Sequence, residues 1–232
     1  EWHAFPLLLT NLLLRRRGWN AIYLGASVPS DRIEETLKTT QPKLVILAAQ
    51  TLVNAMQLRD MARVLNSKGI QSAFGGRVFN SVNMLQTRIP AHFLGNTIEY
   101  SIPSIENLIA NPQPAPAEKA VKKATLQTAA TFKQMRRQIE AALNDAIEAR
   151  GGSIEFLNTA NHFLGDNLIA ALNLGDIAYL SRDMRWISAL LTGHKVSVSL
   201  LPIYFATYAQ AVDKIMGDNG KTISDWLNLE SA

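Results

Sequence analysis

The apolar positions of the first 110 residues alternate between two periods. Phe5 to Arg17 is an almost continuous apolar stretch closed by Gly18, which predicts a helix. Asn20 to Leu24, with a β-branched and an aromatic residue, predicts a short strand. Ser30 is placed to cap a second helix that keeps Ile33 and Leu37 on one face. Lys43 to Ala49 reads KLVILAA, the unbroken apolar run of a strand covered on both faces of a parallel sheet. Four further elements follow: a helical pattern over Leu52 to Asn66, a strand over Gln71 to Phe74 that meets Gly75-Gly76, a last strand at His92 to Leu94, and a helix ending near Ile109. This alternation predicts an α/β fold with a doubly wound parallel sheet. Such a sheet normally starts with a strand that lies in its middle, whereas this pattern opens on a helix. The first strand is therefore expected upstream of Glu1.

Residues 111–124, NPQPAPAEKAVKKA, carry three prolines and several alanines and predict a polar, semi-extended linker. Beyond them the period is helical throughout. One long helix is predicted over Thr125 to Arg150, closed by Gly151-Gly152. A second is capped by Ser153 and continues through His162 and Leu168. A third covers Leu174 to Leu191, a fourth Val196 to Met216 with Pro202 in its first turns, and a short terminal piece Thr222 to Leu229. The expected organisation is an α/β domain over 1–110, a linker over 111–124 and an all-α domain over 125–232.

Composition narrows the chemistry. The chain of 232 residues has no cysteine, which excludes disulfides, thiolate catalysis, Cys-based zinc or iron–sulfur sites and a thioether-linked chromophore. Its net charge of +4 is concentrated in residues 1–110, with eleven Lys/Arg against seven Asp/Glu; the remainder holds twelve of each. An excess of this size suits an anionic small ligand as well as a nucleic acid, and the run Arg15-Arg16-Arg17 is what a helix end favours for its dipole. No apolar run approaches the length of a membrane span, and no signal-peptide pattern is present, so a cytoplasmic setting without membrane contact is expected.

In open α/β sheets, ligands sit at the carboxyl ends of the strands. Three segments are expected to converge there: the loop Glu1-Trp2-His3-Ala4-Phe5-Pro6, the end of the third strand at Ala48-Ala49-Gln50-Thr51, and Gly75-Gly76-Arg77. This set resembles the cobalamin-binding domain family. Glu1-x-His3 is similar to that family's acidic-x-His motif, Gly75-Gly76 to its glycine pair, and RRRGWNAIYLGASVP (Arg15 to Pro29) to its first helix, second strand and following loop. Pro6 stands in place of the motif glycine, and Ala48 and Gln50 in place of its Ser and Leu. The resemblance implies a flavodoxin-like, Rossmann-like domain. It implies adenosylcobalamin bound base-off with His3 on cobalt, and a site formed by Glu1, His3, Ala48, Gln50, Thr51, Gly75, Gly76 and Arg77. In that chemistry a neutral imidazole ligates the metal, a nearby carboxylate orients it, and glycines let a bulky tail pass close to backbone. Read without the resemblance, the glycine pair is equally a tight strand-to-helix turn.

The stretch from Leu174 to Val212 resembles non-haem globin-like sensor domains, with an aromatic–Arg–Trp helix followed by an apolar, Tyr-containing one. A cobalamin domain followed by such a domain is the layout of the photocobilins, light sensors that bind cobalamin together with biliverdin. The resemblance implies a non-enzymatic photoreceptor that takes biliverdin without a covalent bond. A bilin needs an aromatic slot, cations for its propionates and a polar group at its nitrogens. Tyr179, Trp186, Tyr204 and Tyr208 are candidate walls, Arg182 and Arg185 candidate propionate partners, and His162 and His194 candidate polar contacts. The same aromatic stripe also describes an ordinary packed core. The alternatives are the effector domain of a cobalamin-dependent transcription regulator, a corrinoid methyl carrier, and a domain that has lost its cofactor. The output is expected to pass through a protein partner or a homodimer, with no nucleic-acid contact by this chain.

Overall fold

The computed structural model describes residues 5–25, 33–150, 157–181 and 200–231. The chain divides into two compact units, Glu1–Lys119 and Ala120–Ala232. The first is built on a three-stranded parallel sheet of order β1-β2-β3, with β1 at Val45–Ala48, β2 at Ser72–Gly75 and β3 at His92–Phe93. Val45 lies beside Ser72 and Ala48 beside Gly75, while Ala73 and Phe74 lie beside His92 and Phe93. The alternation of side chains along β1 divides the core in two. Leu44 and Ile46 face α1 (Phe5–Arg16) and α5 (Ile98–Ala110), packing with Leu14, Ile102 and Ile105. Val45 and Leu47 face α2 (Ile33–Thr40) and α3 (Leu52–Ser67), packing with Ile33, Leu37 and Leu65. Helices on both faces are the reason the KLVILAA run is apolar without alternation.

Three features depart from the sequence pattern. Asn20 to Leu24 has no regular secondary structure; its exposure alternates as a strand's does, but among the described residues it pairs with no strand. A strand exists only where a neighbour supplies its hydrogen bonds, and periodicity alone does not provide one. Second, residues after Gly76 form a short helix, α4 (Arg77–Ser81), and a 3₁₀ stretch over Asn83–Arg88, where no element was expected. Third, the proline-rich segment 111–122 has no regular structure, yet part of it lies against the first unit. Glu118 accepts two hydrogen bonds from the Arg63 guanidinium, at 2.8 and 2.6 Å, and the Lys119 backbone donates to Thr87 and accepts from Arg88.

The described part of the second unit is helical: α6 (Lys123–Glu148), α7 (Leu157–Leu174), α8 (Leu200–Met216) and α9 (Lys221–Glu230). The third helix of this unit was expected to start at Leu174, but Leu174 ends α7. Gly175 takes φ +111°, its N–H and that of Asp176 return to the carbonyls of Ala171 and Leu172, and Asp176 caps a 3₁₀ turn over Ile177–Tyr179. Only a glycine closes a helix this way without strain. Pro202 falls in the first turn of α8, where a missing N–H is tolerated. Phe132, Ile139, Leu143, Leu168, Tyr208 and Leu227 are fully buried at the centre of this unit.

Candidate ligand cleft of the first unit

A cleft of about 360 Å³ opens at the carboxyl ends of the three strands. Its floor is Ile46, Leu47, Ala48 and Gly75; Gly76 and Arg77 form one side, the first turns of α1 (Pro6, Leu7, Thr10) another, and the loop from Leu94 to the start of α5 the third. This volume lies within the usual range of small-molecule sites. Of the residues expected at the site, Ala48, Gln50, Gly75, Gly76 and Arg77 line it. Glu1 and His3 lie outside the described residues.

The two glycines do different things. Gly76 has φ +122°, and a Cβ there would stand 2.1 Å from the carbonyl oxygen of Ala49. Its missing side chain lets the end of β2 approach the end of β1, so the requirement comes from the protein's own backbone. Gly75 has ordinary dihedrals and nothing within 4 Å of a built Cβ, and it lines the cleft. Gly75, rather than Gly76, is the position at which the chain leaves room for a guest.

Gln50 is a strut. Its side-chain carbonyl accepts the N–H of Arg77 at 3.1 Å, and its own backbone carbonyl accepts from the Arg77 guanidinium at 3.2 Å. These bonds tie the loop after β1 to the loop after β2 and satisfy a donor at the start of α4. Thr51 does not line the cleft; its hydroxyl caps α3 by accepting from Asn54 at 3.3 Å. Among the described lining residues there is one cation, Arg77, and no carboxylate, and the amino end of α5 adds its partial positive charge. These described residues favour a neutral or anionic guest.

The sequence reading did not name the third side: Leu94, Gly95, Asn96, Thr97 and Ser101. The rule that found the ends of β1 and β2 applies equally to the end of β3, and the Gly-Asn-Thr following His92 to Leu94 carried that signal.

In the helical unit, four of the eight residues considered for a bilin are described. His162 is exposed on α7, 3.5 Å from Asp166. Tyr179 and Tyr208 are buried in the core, and the Tyr204 hydroxyl donates to Asn161 at 2.8 Å. Tyr204 and Tyr208 meet edge to face, with ring centroids 5.8 Å apart. Burial drives both phenol pKa values up, and the Glu140 carboxylate adds to this. The Tyr208 hydroxyl is buried and has no hydrogen-bond partner among the described residues. Arg182, Arg185, Trp186 and His194 lie outside the described residues. A polar cluster beside the tyrosines was not anticipated. Arg136 bonds Glu140 and Asp166 at 2.6 and 2.5 Å and reaches the backbone carbonyls of Asn161 and His162. Gly165 makes room for it: a Cβ there would lie 2.4 Å from the guanidinium.

Among the described residues no three His, Asp or Glu come together as a metal site, and no helix is long and apolar enough to cross a membrane. No protein-family model matches the chain, and the search of curated proteins finds no relative.

Proposed function

We propose that the first unit binds cobalamin, with the nucleotide tail in the cleft at the strand ends and His3 as the lower ligand of cobalt. The observation that carries this reading is Gly75, which lines the cleft floor and whose absent side chain leaves open space there. A tail inserted between the loops would lie along Ala48 and Gly75, with Arg77 and the amino end of α5 near its anionic group. A corrinoid would arrive with its cobalt already held, so His3 alone would be enough as the protein's donor, and no cluster of three His, Asp or Glu is found among the described residues. When bound, the cofactor supplies a photolabile cobalt–carbon bond. The protein's part is to hold the tail, orient the imidazole and keep the helical unit at the other end of the chain as the responding element.

The flavodoxin-like and globin-like assignments, and with them the photocobilin type of sensor, belong to this reading. Biliverdin, the second ligand of that type, has its candidates in His162, Tyr179, Arg182, Arg185, Trp186, His194, Tyr204 and Tyr208. The test is purification in the dark with adenosylcobalamin and biliverdin, followed by spectra before and after illumination. The wild-type chain should take up cobalamin, and Gly75→Val should lose it with unchanged far-ultraviolet circular dichroism, because the branched side chain fills the floor. His3→Ala should alter the cobalt spectrum or lower affinity by about tenfold or more. Uptake of both pigments is the outcome for a photocobilin. Cobalamin without biliverdin returns the chain to the regulator or carrier reading, and uptake of neither refutes the proposal.

A further inference from the structure

We propose that the segment after Gly76 couples the cleft to the strap: residues 113–119 brace the wall that carries Arg77 and Asn80, so that a guest in the cleft and docking of the strap favour each other. The coupling is a property of the first unit alone; that the guest is cobalamin rests on the reading above.

One short segment, Arg77 to Arg88, reaches both places. At its start, Arg77 and Asn80 line the cleft. The Arg77 N–H donates to the Gln50 side chain at 3.1 Å, and the Asn80 side-chain amide donates to the Asn96 carbonyl, on the third side of the cleft, at 3.0 Å. At its end, the Thr87 carbonyl accepts the Lys119 N–H at 2.9 Å, and the Arg88 guanidinium donates to the Lys119 carbonyl at 2.9 Å. The strap is also held by Glu118 on Arg63, and its Gln113 carbonyl stands 3.4 Å from Nε2 of His92, the first residue of β3. The strap therefore lies beside the start of β3, and the cleft lies at the carboxyl ends of the strands.

Two features make the segment act as one body. Val78, Phe79, Val82 and Leu85 are buried, so one end does not shift without repacking what the other end rests on. Helical dihedrals break at Val82, with φ −130° and ψ 78°, and such a break is where a segment hinges. Gln86 spans it: its side-chain amide donates to the Phe79 carbonyl at 3.2 Å and ties the 3₁₀ stretch back to α4. Gln86 does not line the cleft and makes none of the strap's hydrogen bonds, so it is a positioning residue. With the strap released, a guest that engages Arg77 must order this wall as it binds. With the strap docked, that ordering is already in place, and affinity rises. Linkage makes the effect reciprocal: docking raises affinity by the factor by which the guest favours docking.

The test reads amide hydrogen exchange at the two ends, Arg77 and Lys119, with Ile105 in the buried face of α5 as the internal control. Glu118→Ala combined with Lys119→Pro frees the strap and should speed exchange at Arg77 by about threefold or more. Gln50→Ala removes the acceptor of the Arg77 N–H and should speed exchange at Lys119 by about as much, with Ile105 unchanged. In a Gln86→Ala background each perturbation should stay at its own end. Far-end exchange equal to wild type, or changing only in step with Ile105, overturns the proposal; undiminished transfer in the Gln86→Ala background overturns the role of Gln86. Adenosylcobalamin, its uptake followed by absorbance, is then added to the wild-type chain and to the strap-release variant. Uptake should slow exchange at Lys119, and the variant should bind more weakly by a matching factor. Uptake that leaves Lys119 unchanged overturns the proposal. Absence of uptake counts against cobalamin as the guest, and the two amides, read without ligand, then decide the brace.

Discussion

Adjacent residues of one chemical type carry unrelated constraints here, and Gly75-Gly76 is the plainest case. The dipeptide was legible in the sequence as a site, but its division of labour was not. The clash at Gly76 is with Ala49, a residue 27 positions earlier that only the pairing of β1 with β2 brings near. Gly76→Ala is therefore expected to destabilise the chain by about 3 kcal/mol, from a disfavoured φ and a blocked strand approach together. Gly75→Ala should cost no more than about 1 kcal/mol in either direction. Urea unfolding of the two variants measures the difference, and equal midpoints would contradict the assignment. Gln50 teaches the same lesson. Its side chain reads as a potential ligand contact, but its oxygen is engaged by the Arg77 N–H across the same two strand ends.

At the scale of elements, what could be read were segments whose signal is their own composition. The apolar run that became β1 and the pattern that became α3 are of this kind. What could not be read were features decided by a partner: among the described residues Asn20 to Leu24 pairs with no strand. The end of α7 was legible and misassigned, because Leu174-Gly175-Asp176 combines a glycine terminator with a following cap. α8 makes a pH prediction. Its Tyr204 and Tyr208 have phenol pKa values raised by burial. Below about pH 10 both rings are neutral, folded or unfolded, and contribute no pH dependence. Above it the unfolded chain loses protons that the folded chain keeps, so stability falls as pH rises, by about 1.4 kcal/mol per pH unit for each ring. Alkaline titration followed by phenolate absorbance should show two tyrosines ionising only together with loss of helical circular dichroism. Ionisation of all five tyrosines before unfolding would contradict the burial argument.

The whole molecule is two units joined by a segment whose composition reads as a free linker. Composition foresaw its lack of helix and strand, but not that it is strapped down as far as Lys119. That contact depends on Arg63, Thr87 and Arg88, none of which carries a recognisable signal. Glu118→Ala removes the bidentate partner of Arg63. An ion pair with one half-exposed member contributes little to global stability, so unfolding should shift by about 1 kcal/mol or less. Local release should be more visible: trypsin is expected to cut after the exposed Lys119 several-fold faster in the variant. An unchanged cleavage rate would mean that the backbone bonds to Thr87 and Arg88 alone hold the strap.

The fit of Arg136 against Gly165 has a consequence for how this sequence is able to change. The guanidinium occupies the volume that a side chain at 165 would need, and it holds Glu140 and Asp166 in ion pairs. Neither position is free to drift alone. An alanine arriving first at 165 displaces a partly buried cation from both carboxylates, and loss of the arginine first leaves those carboxylates without it. The two substitutions are tolerable mainly as a pair, so the order of mutational steps matters more than their number, and this part of the helical unit is historically locked even though no ligand need ever touch it.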